Sequence, residues 1–177
     1  MHRLFVAIRP PSVTRKMLLE AMGGISGARW QSEDQLHLTL RFIGEVDRHR
    51  AGDVHAALGA VHQPPFDLAL NGIGTFERRG LAGAVWAGVT PHAPLQALHK
   101  KVDAALARVG VAPDERAYLP HITLARLKRS SGPVGNLLEN AGGLTSPVFT
   151  VDHFALFESD LTAEAAVYSI VERYPLA

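Results

Sequence analysis

The chain has no cysteine, which excludes disulfides and thiolate metal sites. No apolar run is long enough to span a bilayer, and the stretch Leu4–Ile8 is too short for a signal peptide. A soluble, cytoplasmic, monomeric protein with no membrane partner is therefore expected. Charge of either sign is not in excess: the net charge is +1, so any polyanion must be met by a local patch rather than by a global field. Several catalytic signatures are missing as well. There is no His-Glu-x-x-His and no second histidine within a turn or strand step of His37 or His121, so no metal site is expected. Neither a Gly-x-x-x-x-Gly-Lys-Ser/Thr loop nor a Gly-x-Ser-x-Gly elbow is found. Disorder is excluded too, because 47% of residues are hydrophobic against 20% charged.

What the chain does have is a repeated tetrapeptide. His-Leu-Thr-Leu at 37–40 returns as His-Ile-Thr-Leu at 121–124. Each copy lies in an apolar run that reads as a strand, so His37 and Thr39 point one way while Leu38 and Leu40 point the other. The same alternation separates His121 and Thr123 from Ile122 and Leu124. One His-x-Thr alone would mean little, since threonine suits strands and a single histidine is often half-buried. Filling a core does not require the histidine twice. Two such strands facing each other would set two imidazoles and two hydroxyls around one cleft.

The rest of the chain reads as interleaved strands and helices. Strands are predicted over Leu4–Ile8, Leu36–Ile43, Phe66–Ile73, Gly83–Val89, Leu119–Leu127, Val148–Phe157 and Ala165–Val171. Helices are predicted over Ser12–Met22, after an Asp47 cap with Ala51, Val54, Ala57, Leu58 and Val61 as its apolar face, and over Pro94–Val109, with a weak helix around Leu137–Leu138. Residues 74–80 read as a loop. The fold class is α+β, a single domain over 1–177, and the strand–helix order around each motif suggests a duplicated unit.

Two imidazoles can hold one proton between them near neutral pH, which suits transfer at phosphorus: one takes a proton from water, the other gives one to the departing alkoxide. Threonine hydroxyls can donate to non-bridging oxygens. Arg126 is the obvious cation for a bidentate phosphate contact, yet on a continuous strand it falls out of phase with His121 and Thr123, so a bulge, twist or strand end is needed. Arg41 is in phase with His37 and Thr39. Phe42 and Tyr118 flank the motifs and could stack on a base or pack at the rim. His49, His55, His62, His92, His99 and His153 read as surface or helix-flank residues. Lys128, Arg129, Arg78 and Arg79 read as a solvated charged rim.

These motifs resemble those of the two-histidine phosphoesterases, and within them the RNA 2′,3′-cyclic phosphodiesterases, also called 2′-5′ RNA ligases. The resemblance rests on Arg-Leu-Phe-Val-Ala-Ile at 3–8, His-Leu-Thr-Leu-Arg-Phe-Ile-Gly at 37–44, Ala-Val-Trp-Ala-Gly-Val at 84–89, Leu-Pro-His-Ile-Thr-Leu-Ala-Arg at 119–126, Tyr168, and Tyr174-Pro175-Leu176. It implies a bilobal α+β fold, two antiparallel sheets lining a central cleft with helices outside. The activity implied is cofactor- and metal-free hydrolysis of an RNA or nucleoside 2′,3′-cyclic phosphate to a 2′-phosphomonoester, with reversible 2′-5′ RNA ligation as a companion reaction. By the same resemblance His37 is the acid and His121 the base. Thr39, Thr123 and Arg126 bind phosphate and Phe42 sits near the base; Tyr118 stands where many relatives have Phe. Rival readings are a non-catalytic RNA-end-binding module and a phosphodiesterase for a 2′-5′ linkage or another cyclic phosphate.

Overall fold

Every residue of Leu4-Phe5-Val6-Ala7-Ile8 is buried because the strand that carries it is covered on both faces, which is why it reads as an unbroken apolar run. The computed structural model describes residues 1–177. Its strands are β1 (His2–Ile8), β2 (Arg29–Trp30), β3 (Leu38–Val46), β4 (Phe66–Arg78), β5 (Leu81–Thr90), β6 (Ile122–Arg126), β7 (Phe149–Val151), β8 (His153–Leu161) and β9 (Ala166–Pro175). The helices are α1 (Ser12–Ala21), α2 (Arg48–Leu58), α3 (Ala93–Arg108) and α4 (Gly135–Ala141), with a 3₁₀ turn at Glu33–Gln35. The α+β class follows directly. No helix is long and apolar enough to cross a membrane.

The strands form one antiparallel path in the order β7-β4-β5-β6-β3-β1-β8-β9, with β2 added against β6. Two separate sheets were expected. Instead, β3 and β6 join the halves through a single residue pair, Leu38 opposite Ile122. The helices cover one face. Leu18 of α1, Val54 and Leu58 of α2, and Leu95, Leu98 and Val102 of α3 form one core with Leu38, Leu40, Ile122 and Leu124 of the motif strands. On the other face lies a smaller cluster, Phe5, Ala7, Ala155 and Phe157, flanked by Tyr168 and Ile170.

Local signals explain most boundaries. Asp47 caps α2 by accepting from the Arg50 backbone N–H at 2.8 Å, and proline stands in the first turn of α3. Two stretches depart clearly from the sequence reading. Residues expected as a loop before Gly80 belong to β4, which runs to Arg78 and turns into β5 through Arg79 (φ 55°) and Gly80 (φ 75°). Two consecutive positive φ values make the tight hairpin turn that matches strand twist. The strand expected over Val148–Phe157 is divided at Asp152 into β7 and β8, which pair at opposite ends of the sheet.

Candidate active site

His37 and His121 stand immediately before β3 and β6. The Nδ1 of His37 lies 2.7 Å from the Gln35 carbonyl oxygen, and that of His121 lies 2.6 Å from the Leu119 carbonyl oxygen. A carbonyl can only accept, so in both rings Nδ1 carries the hydrogen and donates it. Each Nε2 is then a base when the ring is neutral and an acid when it is charged. The Gln35 carbonyl is held by the 3₁₀ turn, where Ser32 and Gln35 cap one another reciprocally. Gln35 is anchored further by donating from Nε2 to the Ala166 carbonyl at 2.9 Å.

Both rings are walled by aromatics. His37 lies 4.9 Å from Phe5 and meets Tyr168 edge-on at 5.3 Å. His121 meets Phe76 edge-on at 4.8 Å and lies 6.4 Å from Trp86. Sequence reasoning did not assign Phe5, Phe76 or Trp86 to the site, and Tyr168 entered only as part of a family string. Strand alternation was the available signal for Phe5, since Leu4 and Val6 face the main core. Gly74 makes room for the Trp86 indole: a Cβ there would fall 2.4 Å from its ring.

Thr39 and Thr123 are half-buried, like the histidines. The register around them contains the feature that decides which charged residue joins them. On β6, Trp86 opposes Thr123 but Val85 opposes Ala125, so one extra residue is inserted at Leu124. This bulge turns both Leu124 and Ala125 inward and returns Arg126 to the face of Thr123 and Trp86. The sequence required such a device, and β6 has it. On β3, Ala7 opposes Thr39 but Val6 opposes Arg41, with the extra residue at Leu40. Phe42, opposite Phe5, therefore comes to the cleft face, 46% exposed, with the Arg3 guanidinium 5.5 Å from its ring centroid. Phe42 and Arg126 are thus equivalent positions of the two motifs.

The same bulge removes Arg41 from the cleft, although simple alternation placed it there. Arg41 is buried under α3, donating to Asp103 at 2.9 Å and to the carbonyls of Phe42 and Ala112. Tyr118 is not brought to the cleft either. Its ring stacks on His99 at 4.2 Å, and its hydroxyl donates to the Thr39 carbonyl at 2.9 Å. The structure gives Tyr118 a positioning contact in place of the expected place in the cleft: one face of its ring and its hydroxyl are engaged within the protein. His99, expected as a surface residue, holds the first bulge through its Nδ1, 2.7 Å from the Leu40 carbonyl.

Electrostatically, the site resists positive charge. Burial pulls the His37 imidazole down to about 4, and the nearby charges of His121, Arg126 and Arg9 push the same way. His121 is lowered by burial and then by Arg126. Two imidazoles whose charged forms are disfavoured thus stand near the Arg126 guanidinium. No group of three or more His, Asp or Glu side chains is arranged to hold a metal ion.

Residues 26–163 match the family described as the 2′-5′ RNA ligase superfamily. The chain is 30% identical over 169 residues to an RNA 2′,3′-cyclic phosphodiesterase of Archaeoglobus fulgidus, covering 94% of this chain and 96% of that one. It is 33% identical over 185 residues to one of Thermus thermophilus, covering 98% and 90%. Its structure superposes on that of E. coli LigT complexed with 3′-AMP with a TM-score of 0.81 at 28% identity, covering 99% of this chain and 98% of the other. With the matched segment spanning both His-x-Thr motifs, the chain belongs to the 2′-5′ RNA ligase superfamily.

Proposed function

We propose that this chain is a metal-independent phosphoric diester hydrolase. It opens the 2′,3′-cyclic phosphate at an RNA end, or on a nucleoside, to a 2′-phosphomonoester. The observation that supports this most is the matched pair of histidines, each fixed by an Nδ1 hydrogen bond to a carbonyl two residues back. His121 Nε2 takes a proton from water as its oxygen bonds to phosphorus. The bond from phosphorus to O3′ breaks, and His37 Nε2 gives that oxygen a proton. Thr39, Thr123 and Arg126 bind the non-bridging oxygens and stabilise the charge that grows on them. Phe42 supports the base or ribose beside them. A 5′-hydroxyl in place of water gives a 2′-5′ linkage by the same proton transfers, which accounts for ligation as the companion reaction.

In the free protein His37 is hard to protonate, so its role as acid depends on the substrate. A phosphate anion between the imidazoles favours the charged ring and raises its affinity for a proton. The two halves of the sheet are read as a duplicated, bilobal unit, because bulge, threonine and histidine recur at matching positions of β3 and β6. A monomeric, cytoplasmic state belongs to the same proposal. The test is turnover of a nucleoside 2′,3′-cyclic phosphate by the purified chain. Multiple turnovers, lost in His121→Ala, are expected; tight binding without turnover would instead identify an RNA-end-binding module.

A further inference from the structure

Arg126 is not alone on its face of the sheet. β2 adds only two residues to β6, and their register sets Arg29 directly opposite Arg126. Directly opposed residues have Cβ atoms roughly 4.5–5.5 Å apart, and like charges so placed repel. Neither arginine has a carboxylate partner: the six ion pairs of the protein involve other residues. Arg29 donates only to the Glu164 backbone carbonyl, at 3.2 Å. Both arginines line a groove of about 940 Å³. Neither histidine lines it, but Tyr168, which packs against His37, does, so the groove lies beside the paired histidines. It continues to residues 161–167, where β8 turns into β9. Asp34 and Glu164 are the acidic residues on its wall.

We propose that Arg29 binds the backbone phosphate next to the terminal cyclic phosphate, so that the groove selects a polynucleotide end over a mononucleotide. The inference rests on the functional reading above and extends it to the substrate's length. Arg126 meets the reacting phosphate and Arg29 meets its neighbour along the strand. An otherwise unfavourable arginine pair is thereby explained by two anions rather than one. A chain with net charge +1 gains its grip on RNA locally in this way.

The experiment compares wild-type protein, Arg29→Ala and Arg29→Lys on two substrates. One is a nucleoside 2′,3′-cyclic phosphate, and the other a short RNA with the same cyclic end. Arg29→Ala should lower kcat/KM for the RNA about tenfold, through KM, as expected for loss of one charge-assisted contact. The mononucleotide rate should be unaffected. The salt dependence for the RNA should become shallower by about 0.7 in log–log slope, the value for one phosphate contact on a single strand. Arg29→Lys should recover most of the loss, because a point charge suffices for a backbone phosphate. Arg29 is exposed, and thermal melting of each variant checks that the fold is intact. An equal effect on both substrates, or no effect on either, overturns the assignment while leaving the hydrolase reading in place. If wild-type protein hydrolyses neither substrate, the hydrolase reading fails and this inference falls with it.

Discussion

Leu38 and Ile122 are the one residue pair that joins β3 to β6, and each is the middle residue of a His-x-Thr motif. Because the pairing is antiparallel, His37 lies across from Thr123 and Thr39 across from His121, a local two-fold at the sheet's narrowest seam. Each histidine thus shares its corner with the other motif's threonine. In the proposed function, that arrangement builds one phosphate site from two strands.

Replacing either histidine should remove one half of a proton-transfer pair. His37→Ala and His121→Ala should each lower turnover by about two to four orders of magnitude, the usual range for one acid–base group. The double variant should fall far short of the product of the two losses. Single-turnover rates of the three variants check this, and a near-normal rate in either single variant contradicts the paired mechanism.

Arg126→Lys should slow catalysis clearly although the charge is kept, because lysine cannot present the planar, two-donor contact. Arg41 behaves differently. Its guanidinium is buried against Asp103 and two carbonyls, so Arg41→Ala should cost about 2–4 kcal/mol of stability, with kcat retained wherever the protein is folded. Denaturant unfolding and steady-state kinetics on both variants separate the two roles.

The phase of these arginines shows where the sequence was and was not legible. The motif repeat and its alternation place Leu38, Leu40, Ile122 and Leu124 in the core and both histidines on the other face, as the structure has them. Nothing in Leu-Arg-Phe or Leu-Ala-Arg marks an inserted residue, however. The bulges are visible only against the partner strands β1 and β5, so Arg41 and Phe42 exchange faces without a local signal. Tyr118 illustrates the same limit: an aromatic beside a motif looks alike whether it stacks on a nucleobase or on His99. The β4–β5 hairpin was hidden by Glu77-Arg78-Arg79, whose polarity reads as loop although the first two residues remain paired as strand.

Activity against pH should be bell-shaped in kcat/KM, since one imidazole must be neutral and the other charged. Both are lowered in the free protein, His37 to about 4, so the maximum should lie below pH 6.5. The limbs belong to the coupled pair rather than to either ring. In kcat, where substrate is bound, the alkaline limb should move upward because the phosphate anion favours the charged imidazole. A shift the other way would contradict phosphate binding between the rings.

Stability should respond to the same burial. His37 titrates lower folded than unfolded, so the unfolded chain takes up the proton first as pH falls. Folding free energy should therefore decline from about pH 6.5 toward pH 4, by roughly 3 kcal/mol from this residue, and flatten below. His37→Gln should remove that share of the slope in denaturant titrations at pH 7, 5.5 and 4.5; an unchanged slope would contradict the burial argument.

The central claim is tested most directly by identifying the phosphate left on an RNA that begins with a 2′,3′-cyclic end, after incubation with purified protein in excess EDTA. The paired-histidine account predicts complete conversion to a 2′-phosphomonoester with the chelator present. A 3′-phosphomonoester would contradict the placement of the leaving oxygen, and activity abolished by EDTA but restored by one divalent ion would contradict the metal-free mechanism.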